Sequence, residues 1–567
     1  MDINPATLEV IRNSLVSIAE EMGVSLVRTA YSPGVKERRD CSCSIYDADG
    51  RMTAQAEHVP LHLGVMPQAV KEILKLFPAE QMRPGDAYII NDPYLGANHL
   101  PDIIMVTPVF YRDMLFAYVG NMAHHSDVGG MRPRSMAGDS TEIFQEGIRM
   151  PGIKLAEKGE FGAHILRFIL ANTRTPENVE GDLNAQLAAN MLACRRLGEL
   201  CGKYGLDVLR GSMKLILDKS EQQMREELKK VPDCTVYGRS AVDCGDTSYP
   251  ICVKAIFEGG SLTLDFTGSS PQTASPVNAA PAATQAAVKF AVKTLIAPGI
   301  QPNEGAFRAV RTILPPGIII NPVSPAPVAG SCEVSYKTVE AIFDALASLF
   351  PEQIIAGSGA GGVLSFGGYD SVQGKAYAYG EGLGGGFGAS GYKDGESACK
   401  PSMSNSKDSP AEVLEMTYPI RVSGFALRPD SEGAGQYRGG FGFCRSFEML
   451  DDNVIWSTQT TMYSLRPQGR HGGLEAETSE CVVNPGKENE RKLEAYGTAV
   501  LNKGDIIELR SAGGGGYGEP GRRERSLIMN DIRNGLLSVA RAAEVYGYKT
   551  DSEVFLEQDY KEKGGDL

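Results

Sequence analysis

The sequence predicts a mixed α+β fold spread over several domains. Three observations lead there: its length, its alternation of helical and strand periodicities, and a glycine-dominated texture near its end. At 567 residues the chain exceeds what a single core organises. The expected regions are an N-terminal one of helices and β-hairpins (1–230), an α/β middle (231–350) and a Gly-rich β region with C-terminal helices (351–567).

Each element follows from local chemistry. Asn4-Pro5 is a helix start, an N-cap followed by proline at the first helical position. Leu8, Ile11, Leu15, Ile18 and Met22 then recur at three- and four-residue spacing, a stripe facing a core. "RRDCSCSIYDADGRMTAQAEH" alternates, turns at Asp-Gly and alternates again, which predicts a hairpin. Its "DADG" lacks the D-x-D-x-D-G start of a calcium loop and is read as the turn. Helical patterns occupy 66–76 and about 182–230. "YPICVKAIFEGGSLTLDFTGSS" predicts two strands about a Gly-Gly turn, "AAPAATQAAVKFAVKTLI" a helix, and "LPPGIIINPVSPAPVAG" an extended connection. From 355 to 520, short apolar runs between glycines predict strands, tight turns and close backbone contacts. "SLIMNDIRNGLLSVARAAEVYGY" returns to helix.

Composition narrows the class. Hydrophobic residues make up 42% and charged residues 22%, which suits a globular protein, and the net charge of −14 argues against nucleic-acid binding. "GRRER" at 521–525 is too short to change that and reads as a solvated surface. Eleven scattered cysteines without a C-x-x-C pair read as reduced thiols, so a cytoplasmic location is expected. No signal peptide and no run of about 18 apolar residues is visible, so no membrane span is expected. Cys41 and Cys43 would share a strand face with Ile45, which favours packing over metal binding.

The chemistry concentrates early. Five of the seven histidines lie between 58 and 125. In "NDPYLGANHLPDIIMVTPVFYRDMLFAYVGNMAHHSDVGG", two β-prone runs flank "RDM". If those three residues form a hairpin loop, partners sum to about 226 and Asp102 faces His124, with His99 one bend away. Such a carboxylate–imidazole set suits Zn²⁺, Mn²⁺ or Fe²⁺. A one-residue slip would replace His124 by His125. Asp40 begins the earlier hairpin, whose other strand would bring Glu57 or His58 near. His58 and His62 have i,i+4 spacing, but Pro60 interrupts a metal-binding helix. On these residues alone a metal site, structural histidines at strand ends and metal-free acid–base catalysis all stand open.

Other motifs are weaker. "GSGAGG" at 357–362 matches G-x-G-x-x-G without the strand–turn–helix setting. No G-x-x-x-x-G-K-[ST] and no G-x-S-x-G occurs. "SMSNSKDSPAEVLE" is a polar loop ending in a helix cap before an acidic turn, either a surface loop or a presenter of hydroxyls and amides to a ligand.

"RRDCSCSIYDADGRMTAQAEHVPLHLG", "GDAYIINDPYLGANHLPDI", "NEGAFR" and "GGGGYGEP" together resemble the hydantoinase B family over nearly the whole chain. That family covers the B-type chains of ATP-dependent hydantoinases and lactamases, the second half of 5-oxoprolinase, and large subunits of ketone carboxylases. The resemblance implies a hetero-oligomer, such as a dimer of heterodimers, with an A-type, actin-like ATPase subunit. That partner would bind ATP and Mg²⁺ and phosphorylate the substrate oxygen. It also implies a divalent metal held by Asp40, His99, Asp102 and His124, with Asp92, His125 and Asp127 behind them. The implied activity is hydrolysis of a small cyclic amide: a hydantoin, lactam or 5-oxoproline ring. A metal there would lower the pKa of a water, and His125 or Asp127 would serve as general base. Two other readings stand beside it: a subunit of an ATP-dependent ketone carboxylase, and a metal-free scaffold completing the partner's active site.

Overall fold

In the computed structural model, Asn4 accepts a hydrogen bond from Ala6 N at 2.8 Å and caps α1 (Pro5–Thr29), with proline in its first turn. The structure describes residues 3–56, 58–359 and 361–549. It is a mixed α+β chain with several sheets, as the periodicities predict.

The first sheet holds β1 (Cys41–Asp47), β2 (Met52–Gln55), β3 (Ala87–Ile90), β4 (Asp102–Tyr111), β5 (Met114–His124), β6 (Ile153–Glu157) and β7 (Glu160–Phe161). Their order is β2-β1-β5-β4-β3-β6-β7, and every pairing is antiparallel. Both faces are covered. Cys41, Cys43 and Ile45, with Val119 and Ala123, bury against α1 and a later helix, α3 (Pro176–Tyr204). Tyr46, Ile104, Val106, Tyr118 and Met122 point the other way, against α2 (Pro60–Leu76). Alternation along each strand therefore sorts its side chains between two cores.

The helices differ in detail from the sequence reading. α2 starts at Pro60, six residues early, because proline suits the first helical position, and it runs on through Pro67. The stretch read as helical from 182 to 230 is two helices, α3 and α4 (Leu206–Leu228), broken at Gly205 with φ +85°. Beyond them a four-stranded sheet packs with α5 (Pro281–Leu295) and α6 (Ser331–Leu346) into the α2-side core.

The glycine-rich stretch forms a four-stranded and a five-stranded sheet around Trp456, which stacks on Phe366 at 5.5 Å. Its glycines serve backbone contact. A Cβ at Gly439 would lie 1.7 Å from the Gly514 carbonyl oxygen, and one at Gly359, inside "GSGAGG", 2.1 Å from that of Gly513. The same rule joins α2 to α5, where a Cβ at Gly64 would meet the Ala286 Cβ at 2.3 Å and its Cα at 2.5 Å. Gly64→Ala is expected to cost about 1–3 kcal/mol by overpacking, read as a lower thermal midpoint.

Candidate metal centre

The β4–β5 hairpin positions the site through its register. Its turn is two residues, Arg112 and Asp113, with φ of 48° and 63°. That is the type I′ geometry that matches strand twist. The three-residue loop read from the sequence is therefore shorter in fact, and the pairs nearest the turn, Tyr111 with Met114 and Phe110 with Leu115, sum to 225. A bulge then inserts Phe116, so that Val109 pairs with Ala117, and the sum becomes 226 as far as Asp102 and His124. Directly opposite residues share a face, so Asp102 and His124 both turn toward the α2 side. His99 joins them from the preceding turn, closed by the Asp102 N–H donating to its carbonyl at 3.0 Å.

The three side chains meet closely and are all buried. His124 Nδ1 lies 2.8 Å from Asp102 Oδ1, His99 Nε2 lies 3.2 Å from Asp102 Oδ2, and the two nitrogens are 3.2 Å apart. One ligand atom from each falls within 4.8 Å of the others. Tetrahedral ligands at metal bonds of about 2.0–2.1 Å stand about 3.4 Å apart, so the donor types and their spacing fit a divalent cation. Burial disfavours charge on His99, but the Asp102 carboxylate outweighs it and raises its pKa. Burial would raise the pKa of Asp102, yet the imidazoles hold it well below the usual carboxylate range. His124 is pulled down to about 4 by burial, then by the Arg134 charge.

Asp40 stands at the head of β1, where its carbonyl accepts from the His124 N–H at 3.0 Å and extends the ladder. Its carboxylate faces the same cavity as the cluster, outside the group of three, 3.4 Å from Arg38 and 3.6 Å from His62 Nε2. Burial opposes its charge, but the Arg38 guanidinium more than compensates and lowers its pKa. The neighbour from the chain's next segment is thus His62 on α2. His58 instead packs on Gly23 of α1, and Glu57 lies outside the described residues.

His125 points away from this cavity, because alternation turns it to Gln186 on α3, 3.0 Å from its Nε2. Asp127 is saturated: its carboxylate accepts from the N–H groups of Gly129, Arg134 and Arg174 at 2.9 Å and from the Arg174 guanidinium at 3.0 Å. Asp92 caps Tyr94 N at 3.0 Å and pairs with Arg149 at 2.7 Å. None of these three lines the cavity.

The walls bring together distant segments. Arg134 enters from the loop after β5, Glu333 from the first turn of α6, and Ser404 and Ser406 from the polar "SMSNS" loop. That loop therefore presents its hydroxyls to a cavity, whereas the helix after it starts at Ala411 with no side-chain cap. Glu333 is buried, one of its oxygens has no partner among the described residues, and burial pushes its pKa up to about 7. Arg38 sits inside the "RRDCS" motif, but no spacing signals Arg134 or Glu333, which lie in unremarkable "MRPRSM" and "GSCEVS".

The model for Hydantoinase B/oxoprolinase matches residues 4–520. The B-type chain of a putative D-/L-hydantoinase from a Pseudomonas species is 30% identical, over 99% of this chain and 97% of its own length. The solved structure of the ATP-dependent caprolactamase from Pseudomonas jessenii superposes with a TM-score of 0.89 at 27% identity, covering 98% of both chains. An acetone carboxylase structure gives a TM-score of 0.88 at 20% identity over 96% of this chain and 79% of that one, a likeness of fold.

His124→Ala is expected to abolish stoichiometric metal binding, measured by metal analysis after dialysis, whereas His125→Ala keeps it. Because Asp102 favours the protonated form of His99, metal uptake must displace that proton. Affinity should therefore fall as pH drops below the raised His99 pKa and recover above it, which a metal titration across pH 5.5–8.5 would register as about tenfold per unit.

Proposed function

The chain belongs to the hydantoinase B/oxoprolinase family, and on that premise we propose that it is the metal-holding subunit of an ATP-dependent cyclic amide hydrolase. The observation that carries this reading is the buried His99–Asp102–His124 cluster opening into a walled cavity. The named relatives include one chain of a hydantoinase and an ATP-dependent caprolactamase, so the substrate class is a hydantoin, lactam or 5-oxoproline ring.

The chemical need is activation of an unstrained amide, whose resonance-stabilised C–N bond makes it a poor electrophile. An A-type partner with an actin-like ATPase fold would bind ATP and Mg²⁺ and phosphorylate the amide oxygen, leaving the carbon open to attack. A divalent cation held by His99, Asp102 and His124 would supply hydroxide near neutral pH. Asp40, kept ionised by Arg38, adds a fourth donor, the second carboxylate, from the neighbouring strand. His125 orients the hairpin end through Gln186, and Asp127 holds the loop that follows. Glu333, buried in the wall with a free oxygen, is better placed than either to exchange a proton with a bound ring.

The test is co-expression with an A-type partner and ATP-consumption assays on a panel of lactams, hydantoins and ketones. Ring opening coupled to ATP use is expected. His99→Ala and His124→Ala should each abolish metal binding and ring opening, by at least about 10³-fold, while the partner's phosphorylation step persists. Bicarbonate-dependent ketone consumption without ring opening would transfer the protein to the carboxylases. Full activity in a preparation freed of metal would make the chain a scaffold.

A further inference from the structure

Among the cationic side chains lining the cavity, Arg134 stands apart. Arg38 donates to the Gly380 carbonyl at 2.8 Å and pairs with Asp40, and Lys400 donates to the Gly382 carbonyl at 2.6 Å and pairs with Asp408. Arg134 is 4% exposed, yet its guanidinium makes no hydrogen bond or ion pair among the described residues, and its Nη1 is fully enclosed. A buried cation without a partner is costly unless a ligand supplies the anion.

The surrounding structure fixes Arg134 in the cavity wall. Arg134 and Ser135 both adopt left-handed backbone, φ 67° and 59°, a conformation costly outside glycine. Asp127 fixes it by accepting from Arg134 N, and Ser135 Oγ by accepting from Val128 N and donating to the Gly129 carbonyl. The side chain then crosses Gly380, where a Cβ would stand 2.3 Å from its Cδ and 2.6 Å from its Nη1. Arg38 lies beside it, bonded to that same glycine. A planar fork of donors, backed by a second guanidinium, is the arrangement that binds a phosphoryl group bidentately.

We propose that Arg134 is the binding residue for the phosphoryl group of the activated substrate, with the loop from Asp127 to Ser135 built to aim it. The proposal rests on the reading of the cavity as the site of a phosphorylated cyclic amide and adds where its anionic end lies. Arg134 shares that one cavity with His99 and His124 of the metal cluster and with Glu333. Asp127 is then a positioning residue, acting through the backbone of Arg134.

The test uses the full chain loaded with metal, titrated with inorganic phosphate and, separately, acetate. Phosphate should bind, acetate should bind much more weakly, and Arg134→Gln should weaken phosphate binding by about tenfold or more with metal content unchanged and the thermal midpoint of the free chain not lowered. Arg134→Lys, which keeps the charge and loses the fork, should fall between the two, and it carries the comparison if the Gln variant fails to fold. Phosphate binding equal to wild type in either folded variant would overturn the assignment. So would acetate binding as tightly as phosphate, which would make the site a carboxylate site. The two readings separate in the reconstituted complex. Arg134-dependent phosphate binding without ring opening sinks the hydrolase reading and leaves the anion site, whereas undiminished ring opening in Arg134→Gln does the reverse.

Discussion

The contact between the Asp102 carboxylate and two imidazoles is the constraint around which the N-terminal half is arranged. A carboxylate with no exposed surface is tolerated only if its charge is matched, and His99 and His124 do that at 3.2 and 2.8 Å. Keeping those distances requires adjacent strands in one register, a tight turn before β4, and helices over both sheet faces to exclude water. The long apolar runs of β4 and β5 follow from this, since an antiparallel sheet buried on both sides has no face to spare for polar side chains.

Much of this was legible in the sequence, for identifiable reasons. The α1 stripe, the Asp-Gly hairpin and the pairing of Asp102 with His124 rest on local periodicity and turn chemistry, and local rules hold where tertiary packing agrees with them. The hairpin register is as expected although its loop is not, because the bulge at Phe116 adds the residue that the shorter turn removes. What stayed hidden is non-local. Arg134 and Glu333 reach the cavity from segments far from His99 in the chain, and nothing in "MRPRSM" or "GSCEVS" marks them, whereas Ser404 and Ser406 come from the polar loop that the sequence already singled out. His125 and Asp127 show the converse: they sit beside ligands in sequence, while strand alternation and the following turn carry them elsewhere.

The glycine-rich half contributes by closeness. Where Gly439 meets Gly514 and Gly359 meets Gly513, main chains touch without side chains between them, and Gly362, Gly382 and Leu383 line the same cavity as His99 and His124. Met136, Ala137 and Gly138, just past Arg134, are in turn bonded to Ser365, Ser457 and Gln459 of these sheets. The two halves of the chain are thereby tied together on either side of the cavity, so a displacement of one would alter its volume.

The bulge at Phe116 makes the hairpin behave like a parity check. With the bulge kept, adding or removing one residue between Val109 and Ala117 would exchange the faces of everything downstream on β5, putting Ala123 or His125 opposite Asp102. Adding or removing two would leave the faces as they are. Chains of this architecture should therefore vary in length at the hairpin tip by even steps, or by odd steps that carry a compensating gain or loss of the bulge. Tip length and bulge are in effect a single inherited trait, and the chemistry at the far end is what ties them.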